Sequence, residues 1–139
     1  MKRLLGVDFG TKRLGLAMTD PLGLMAHPLV MVERSSKAGD IRRIREAIAG
    51  AELEAVVVGL PLNMDGSDGR LVEEVRSFAA SLGKALGVPV EFIDERLTSW
   101  QAERMLTDEA DMSRSKRRQV RDKLAACFIL QSYLDRRAL

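Results

Sequence analysis

The run Ala55-Val56-Val57-Val58 is apolar at every position. Successive side chains of a strand point to opposite faces, so a strand with no polar parity needs apolar cover on both sides. Gly59 and Pro61 follow at once, leaving a run too short for a buried helix. The chain must therefore build a sheet and supply helices to each face of it.

The rest of the sequence provides both. Lys2 to Phe9 and Leu14 to Thr19 are short apolar runs separated only by Gly10-Thr11-Lys12-Arg13, which predicts a β-hairpin. Pro28 to Glu33 predicts a third antiparallel strand. Asp40 is expected to cap a helix ending at Gly50, with Ile41, Ile44, Ala47 and Ile48 at helical spacing. Asn63 to Gly69 is rich in turn formers, and Leu71, Val75, Phe78, Ala79 and Leu82 stripe a helix over 70–86. Val88 to Ile93 reads as a second buried strand. Thr98-Ser99-Trp100-Gln101 matches a capping box and predicts another helix start. Thr107 to Lys116 lacks apolar periodicity and is expected to be a mobile loop, and a last helix is expected over 119–136. This βββαβαβαα order predicts an α/β fold: a mixed five-stranded sheet, three antiparallel strands then parallel ones, flanked by helices on both faces. At 139 residues it is expected to form one domain, 1–139.

Several function classes fall away on residue counts. A single cysteine, Cys127, excludes a disulfide framework and a cysteine-rich zinc site. His27 is the one histidine and lies in the apolar stretch Met25-Ala26-His27-Pro28, so chemistry needing two histidines is out. The longest stretch without a charge, Pro21 to Val32, is twelve residues and contains two prolines, too short to span a membrane. Asp8 breaks the only apolar run near the N-terminus, so no secretory core is present and a cytoplasmic protein is expected. If the chain is an enzyme, carboxylates must do the chemistry, with or without a metal.

The net charge of +2 is unevenly spread. Met112 to Lys123 carries +5 and Met1 to Arg13 carries +3, whereas residues 14–111 sum to −7. A basic cluster on an acidic body suits a polyanion, although such a run can also be plain solvated surface.

Three acids occupy positions that need explaining. Asp8 shares a strand face with Leu4 and Gly6, where an ionised carboxylate demands a cation or strong donors. Asp94 and Glu95 end a buried strand, where ligand sites of open α/β sheets gather. Asp122 is expected in the first turn of the last helix, with the small residues Ala125 and Ala126 following at i+3 and i+4. Together they could hold Mg²⁺ or Mn²⁺ through oxygen ligands. Each also has a simpler role: Asp8 could pair with Lys12 or Arg13, Glu95 could sit beside Arg96, and Asp122 could favour a helix N-terminus. Spacing does not choose between these, nor between Asp94 and Glu95.

A resemblance does. Leu5-Gly6-Val7-Asp8-Phe9-Gly10-Thr11-Lys12-Arg13 with Gly15, Gly59-Leu60-Pro61-Leu62 with Asp65-Gly66, Asp94-Glu95-Arg96-Leu97-Thr98-Ser99, and Asp122-Lys123-Leu124-Ala125-Ala126 with Ile129-Leu130-Gln131-Ser132-Tyr133-Leu134-Asp135 form four ordered blocks. They resemble the signature blocks of the YqgF/RuvX family across essentially the whole chain. Those are small bacterial proteins of the RNase H-like superfamily, assigned to pre-16S rRNA cleavage and formerly to Holliday junction resolution. The resemblance implies an RNase H-like fold and a nuclease with Asp8, Glu95 and Asp122 as its catalytic and metal-binding triad. Asp8 would be shared between two cations, with Glu95 and Asp122 each completing one side. Lys12, Arg13, Arg96, Arg114, Lys116, Arg117 and Arg118 would hold phosphates.

The implied activity is divalent-metal-dependent endonucleolytic cleavage of structured RNA, at the 5′ end of pre-16S rRNA within a ribosomal precursor. Resolution of branched DNA is the alternative and calls for a homodimer with two symmetric sites. A non-catalytic nucleic-acid-binding factor would keep the basic cluster without needing the triad. An actin-type ATPase shares the Asp-x-Gly-Thr hairpin but uses two such domains. With only six aromatic residues, extensive base stacking is not expected.

Overall fold

The computed structural model describes residues 2–63, 65–96 and 113–138. Its elements in chain order are β1 (Arg3–Phe9), β2 (Arg13–Thr19), β3 (Ala26–Glu33), α1 (Lys37–Ile48), β4 (Leu53–Leu60), α2 (Val72–Leu86), β5 (Val90–Asp94) and α3 (Arg114–Arg137). The five strands form one sheet in the order β3-β2-β1-β4-β5. β1, β2 and β3 pair antiparallel, while β4 runs parallel to both β1 and β5.

The apolar run lies in β4 and divides by parity. Val56 and Val58 join Leu5, Val7, Phe9, Leu14 and Leu16 in a core closed by Ile44 of α1 and by Val75, Phe78 and Leu82 of α2. Ala55 and Val57 face the other way and join Leu4, Ala17 and Ile93 beneath Ala126, Ile129 and Leu130 of α3. Burial of side chains such as Ile129 and Leu130 stabilises by roughly 1.5–3 kcal/mol each, which fastens α3 to the sheet. Gly6 sets the distance of that contact. A β-carbon there would lie 2.9 Å from Leu130 Cβ and 3.0 Å from the Ala126 carbonyl oxygen, so only glycine lets the helix come this close.

Local boundaries depart from expectation in three places. The cap of α1 is Ser36, whose hydroxyl accepts from the Gly39 N–H; Asp40 lies a turn inside, buried, and accepts from the Ser35 N–H at 2.8 Å. A serine one turn upstream outcompetes Asp40 because the helix continues back through Lys37-Ala38-Gly39. α3 begins at Arg114, so the expected loop over Thr107 to Lys116 is helical in its last three residues. Ser113 caps it by accepting from the Lys116 N–H, and arginine, lysine and glutamine favour helix without an apolar stripe. Asp122 is consequently the ninth residue of the helix and not in its first turn, which removes the dipole role. The remainder of that loop and the capping box at Thr98 lie outside the described residues. Among the described residues no helix is long and apolar enough to cross a membrane.

Candidate active site

Asp8 is the penultimate residue of β1, on the face covered by α3, and its backbone partner on β2 is Gly15. Glu95 follows the last residue of β5, and its N–H donates to the Leu60 carbonyl, which carries the chain across the end of β4. Parallel pairing of β1, β4 and β5 thus brings two acids, distant in sequence, to the same end of the same face.

Gly59 makes the meeting possible. A β-carbon on it would lie 2.6 Å from Glu95 Cγ, 2.7 Å from Glu95 Oε1 and 2.7 Å from Ile129 Cδ1. The Glu95 side chain therefore lies over bare backbone, in the space of a missing side chain, with its tip at Asp8. This also separates Glu95 from Asp94. Ile93 points into the core beneath α3, so the chain presents Glu95 on that face and leaves Asp94 to the other. Asp94 accepts from Arg96 Nε and from the Arg96 N–H at 2.9 Å.

The two site carboxyls are in hydrogen-bond contact. Burial pushes the Glu95 carboxyl up to about 8, with the Asp8 charge and the hydrogen bond to Asp8 acting in the same direction. Burial also raises Asp8; the Asp122 charge adds to this, whereas the bond from Glu95 works against it. Glu95 is thus the proton donor of the pair and Asp8 the acceptor.

Asp122 is exposed on α3, one turn before Ala126. Its charge reaches Asp8, yet among the described residues no three metal-ligating side chains lie close enough to hold one ion. The structure brings Asp8 and Glu95 into contact and leaves Asp122 beside them. His27 is paired in register with Met18, at the far end of the sheet from the Asp8–Gly15 row, and its Nε2 lies 3.8 Å from Asp20. It takes no part in the site.

The expected phosphate-holding residues divide. Lys12 and Arg13 are exposed at the β1–β2 turn, near the Asp8 end of the sheet. That turn is braced from behind by Arg34, which donates to the Gly10 and Thr11 carbonyls at 3.0 Å and lies 4.3 Å over the Phe9 ring. Arg96 has its guanidinium taken up by Asp94, which holds the Asp94 carboxyl below its ordinary range. Arg114, Lys116, Arg117 and Arg118 stand in the first two turns of α3, so Arg114 and Lys116 are helical and not part of the mobile loop expected over Thr107 to Lys116. Sequence reasoning missed Gly59 as a site residue. Its signal was a glycine interrupting a valine strand, the mark of close approach by another group.

A mixed β3-β2-β1-β4-β5 sheet with helices on both faces, and a carboxyl pair formed from the ends of β1 and the edge strand β5, place the chain in the RNase H-like fold class. Thermus thermophilus RuvC in complex with Holliday junction substrate shares the fold, with a TM-score of 0.58 at 18% identity over 99% of this chain and 97% of that one. The fowlpox virus Holliday junction resolvase gives 0.54 at 11% identity, over 96% and 99%. The chain belongs to the RuvX family, whose model, described as Holliday junction resolvase, matches residues 2–136. Its relatives include a Moorella thermoacetica protein named "Putative pre-16S rRNA nuclease", 49% identical over 96% of this chain and 95% of its own. A Streptococcus pneumoniae protein of the same name is 44% identical over 97% and 99%.

Proposed function

We propose that this chain is a divalent-metal-dependent endonuclease that hydrolyses phosphodiester bonds in structured RNA, with the 5′ end of a 16S rRNA precursor as its substrate. The observation that carries the proposal is the Asp8–Glu95 contact. Two carboxyls forced together out of water bind one proton between them because they lack a counter-charge, and a cation meets that need better. The donor set is all hard carboxylate oxygen, with no imidazole or thiol, which suits Mg²⁺ or Mn²⁺. The names of the relatives favour RNA.

In this mechanism Asp8 and Glu95 would hold the metal, with Asp122 near enough for its charge to act on Asp8. The bound cation supplies Lewis acidity at the phosphodiester. Glu95, whose carboxyl burial and Asp8 hold protonated in the free protein, would have to be ionised to serve as a ligand beside Asp8. Gly59 and Ile129 keep the Glu95 carboxylate from swinging away. Lys12 and Arg13 draw the phosphate backbone to the end of the sheet, and the basic first turns of α3 extend the same positive field without reading sequence.

The test is cleavage by the full-length protein of a structured precursor RNA and of a four-way DNA junction, each with Mg²⁺, Mn²⁺ or EDTA. Cutting of the RNA only with a divalent ion is expected. Asp8→Asn should abolish cutting while RNA affinity holds or rises, since one repelling charge is gone. Cleavage in EDTA, or wild-type rates in Asp8→Asn, would refute the mechanism. Preferential cutting of the junction would transfer it to the resolvase activity in the family description.

A further inference from the structure

A groove of about 830 Å³ runs between the edge strand β3 and the N-terminal half of α3, lined by Arg13, Pro28, Met31, Gln119, Asp122 and Lys123 among others. Of the three candidate acids Asp122 lies on its wall, and Met31 belongs to the same cross-strand row as Asp8. Asp8, Gly15 and Met31 are successive backbone partners across β1, β2 and β3, so they form one row on the α3 face. Adjacent strands lie roughly 4.8 Å apart. The middle member of the row has no side chain, and a β-carbon on Gly15 would just touch Met31 Sδ at 3.5 Å, Asp8 Cβ at 3.6 Å and Ala126 Cβ at 3.7 Å. Gly15 is itself buried beneath Ala126 of α3, so the groove adjoins the carboxylate pair through Asp122, which lines its helix wall and whose charge reaches Asp8.

We infer that this groove binds a single-stranded stretch of the nucleic-acid substrate, one or two nucleotides flanking the scissile phosphate. The inference rests on the nuclease function proposed above. Three observations select the occupant. The volume falls within the roughly 300–1,000 Å³ of pockets that take small molecules, too little for a duplex, whose major groove alone is about 12 Å wide. Cations stand on both walls, Arg13 on the strand side and Lys123 on the helix side. Among the described residues Arg13 is held by an exposed contact of 3.8 Å to Glu33, a pairing weak enough to yield to a phosphate. Pro28 and Met31 offer an apolar surface for a sugar or the face of a base. Apolar surface for the nucleoside, cations for its phosphates and a wall shared with Asp122 beside the carboxylate pair are the needs of an extended strand.

The test places charge in the groove without changing its shape. Met31 lies on an edge strand, so Met31→Gln, Met31→Glu and Met31→Lys should all fold. Binding of a fluorescent single-stranded RNA octamer to the full-length protein is measured by anisotropy in EDTA over a salt series. Relative to Met31→Gln, the Glu variant should bind at least tenfold more weakly and the Lys variant more tightly. Lys123→Gln should lower the salt slope by roughly 0.7, one phosphate contact on a single strand. Arg42→Gln on α1, exposed on the opposite face of the sheet, removes the same unit of charge and should change nothing. Equal affinity of the Gln, Glu and Lys variants would overturn the inference. So would concentration-dependent self-association through β3 that Met31→Glu abolishes, because the groove would then seat a second copy of the chain. Wild-type cleavage that Asp8→Asn abolishes, together with charge-blind binding at position 31, would retire the groove and leave the nuclease standing. Loss of both would retire both.

Discussion

Glu95→Gln should make the metal-free protein more stable while destroying its activity. In the unfolded chain Glu95 ionises near 4.5; in the folded protein it keeps its proton to about 8. Between those values the native state binds more protons than the unfolded state, so stability falls as pH rises through the window. Each pH unit costs about 1.4 kcal/mol, hence about 3 kcal/mol between pH 4.5 and pH 7. Asp8, also raised, adds to the loss in the same direction. Glutamine keeps the shape, donates to Asp8 through its amide and has no proton to lose. The variant should therefore match the wild type near pH 4.5 and exceed it by about 2–3 kcal/mol at neutral pH, which is about 8–12 °C in Tm for a chain of this size. Differential scanning calorimetry in EDTA at pH 4.5, 6 and 8 measures this directly. Mg²⁺ should then raise the wild-type Tm at pH 8 and leave the variant nearly unmoved. A variant that melts at or below the wild type throughout, or a gap that ignores pH, would refute the claim that two crowded carboxyls await a cation.

Gly59→Ala inserts a β-carbon where Glu95 and Ile129 already lie within 2.7 Å, so it should cost about 1–3 kcal/mol in a thermal melt. It should also lower cleavage at least tenfold and shrink the Mg²⁺-induced rise in Tm by displacing Glu95; wild-type cleavage would deny Gly59 its cradling role. Replacing Arg114, Lys116, Arg117 and Arg118 with glutamine should leave the helical circular dichroism intact and weaken RNA binding across unrelated sequences. The salt slope should fall by roughly 0.7–0.9 for each phosphate that is no longer neutralised. An unchanged slope would mark the array as solvated surface.

Much of the architecture was legible because periodicity and burial are the same fact seen twice. The valine run demanded two covers and received α1 with α2 on one side and α3 on the other. The Gly10-Thr11-Lys12-Arg13 spacing fitted a hairpin, and β1 and β2 pair as one. The start of α3 is not legible in the sequence, because apolar periodicity marks a helix only where the helix is packed against something. Its first turns have none; they follow from the Ser113 cap and from attachment further on, at Ala126, Ile129 and Leu130. Arg96 looked available for phosphate because its neighbour Asp94 could not be oriented from sequence parity.

The sequence by itself determined which groups could act. With one histidine and one cysteine, carboxylates were left as the candidates, and the resemblance of four ordered blocks pointed to Asp8, Glu95 and Asp122 among twenty acids. Only the tertiary structure decided how those acids meet. Parallel pairing of β1, β4 and β5 fixes which strand ends are neighbours, and that register is set by packing against three helices, which no local segment encodes. It places Glu95 over Gly59 and against Asp8, turns Asp94 toward Arg96, and leaves Asp122 on an exposed turn at the mouth of a groove. The upward shift of the Asp8 and Glu95 carboxyls follows from that placement, because the cost of ionising two carboxyls depends on their distance and on the water excluded around them. Both are properties of the folded surface alone.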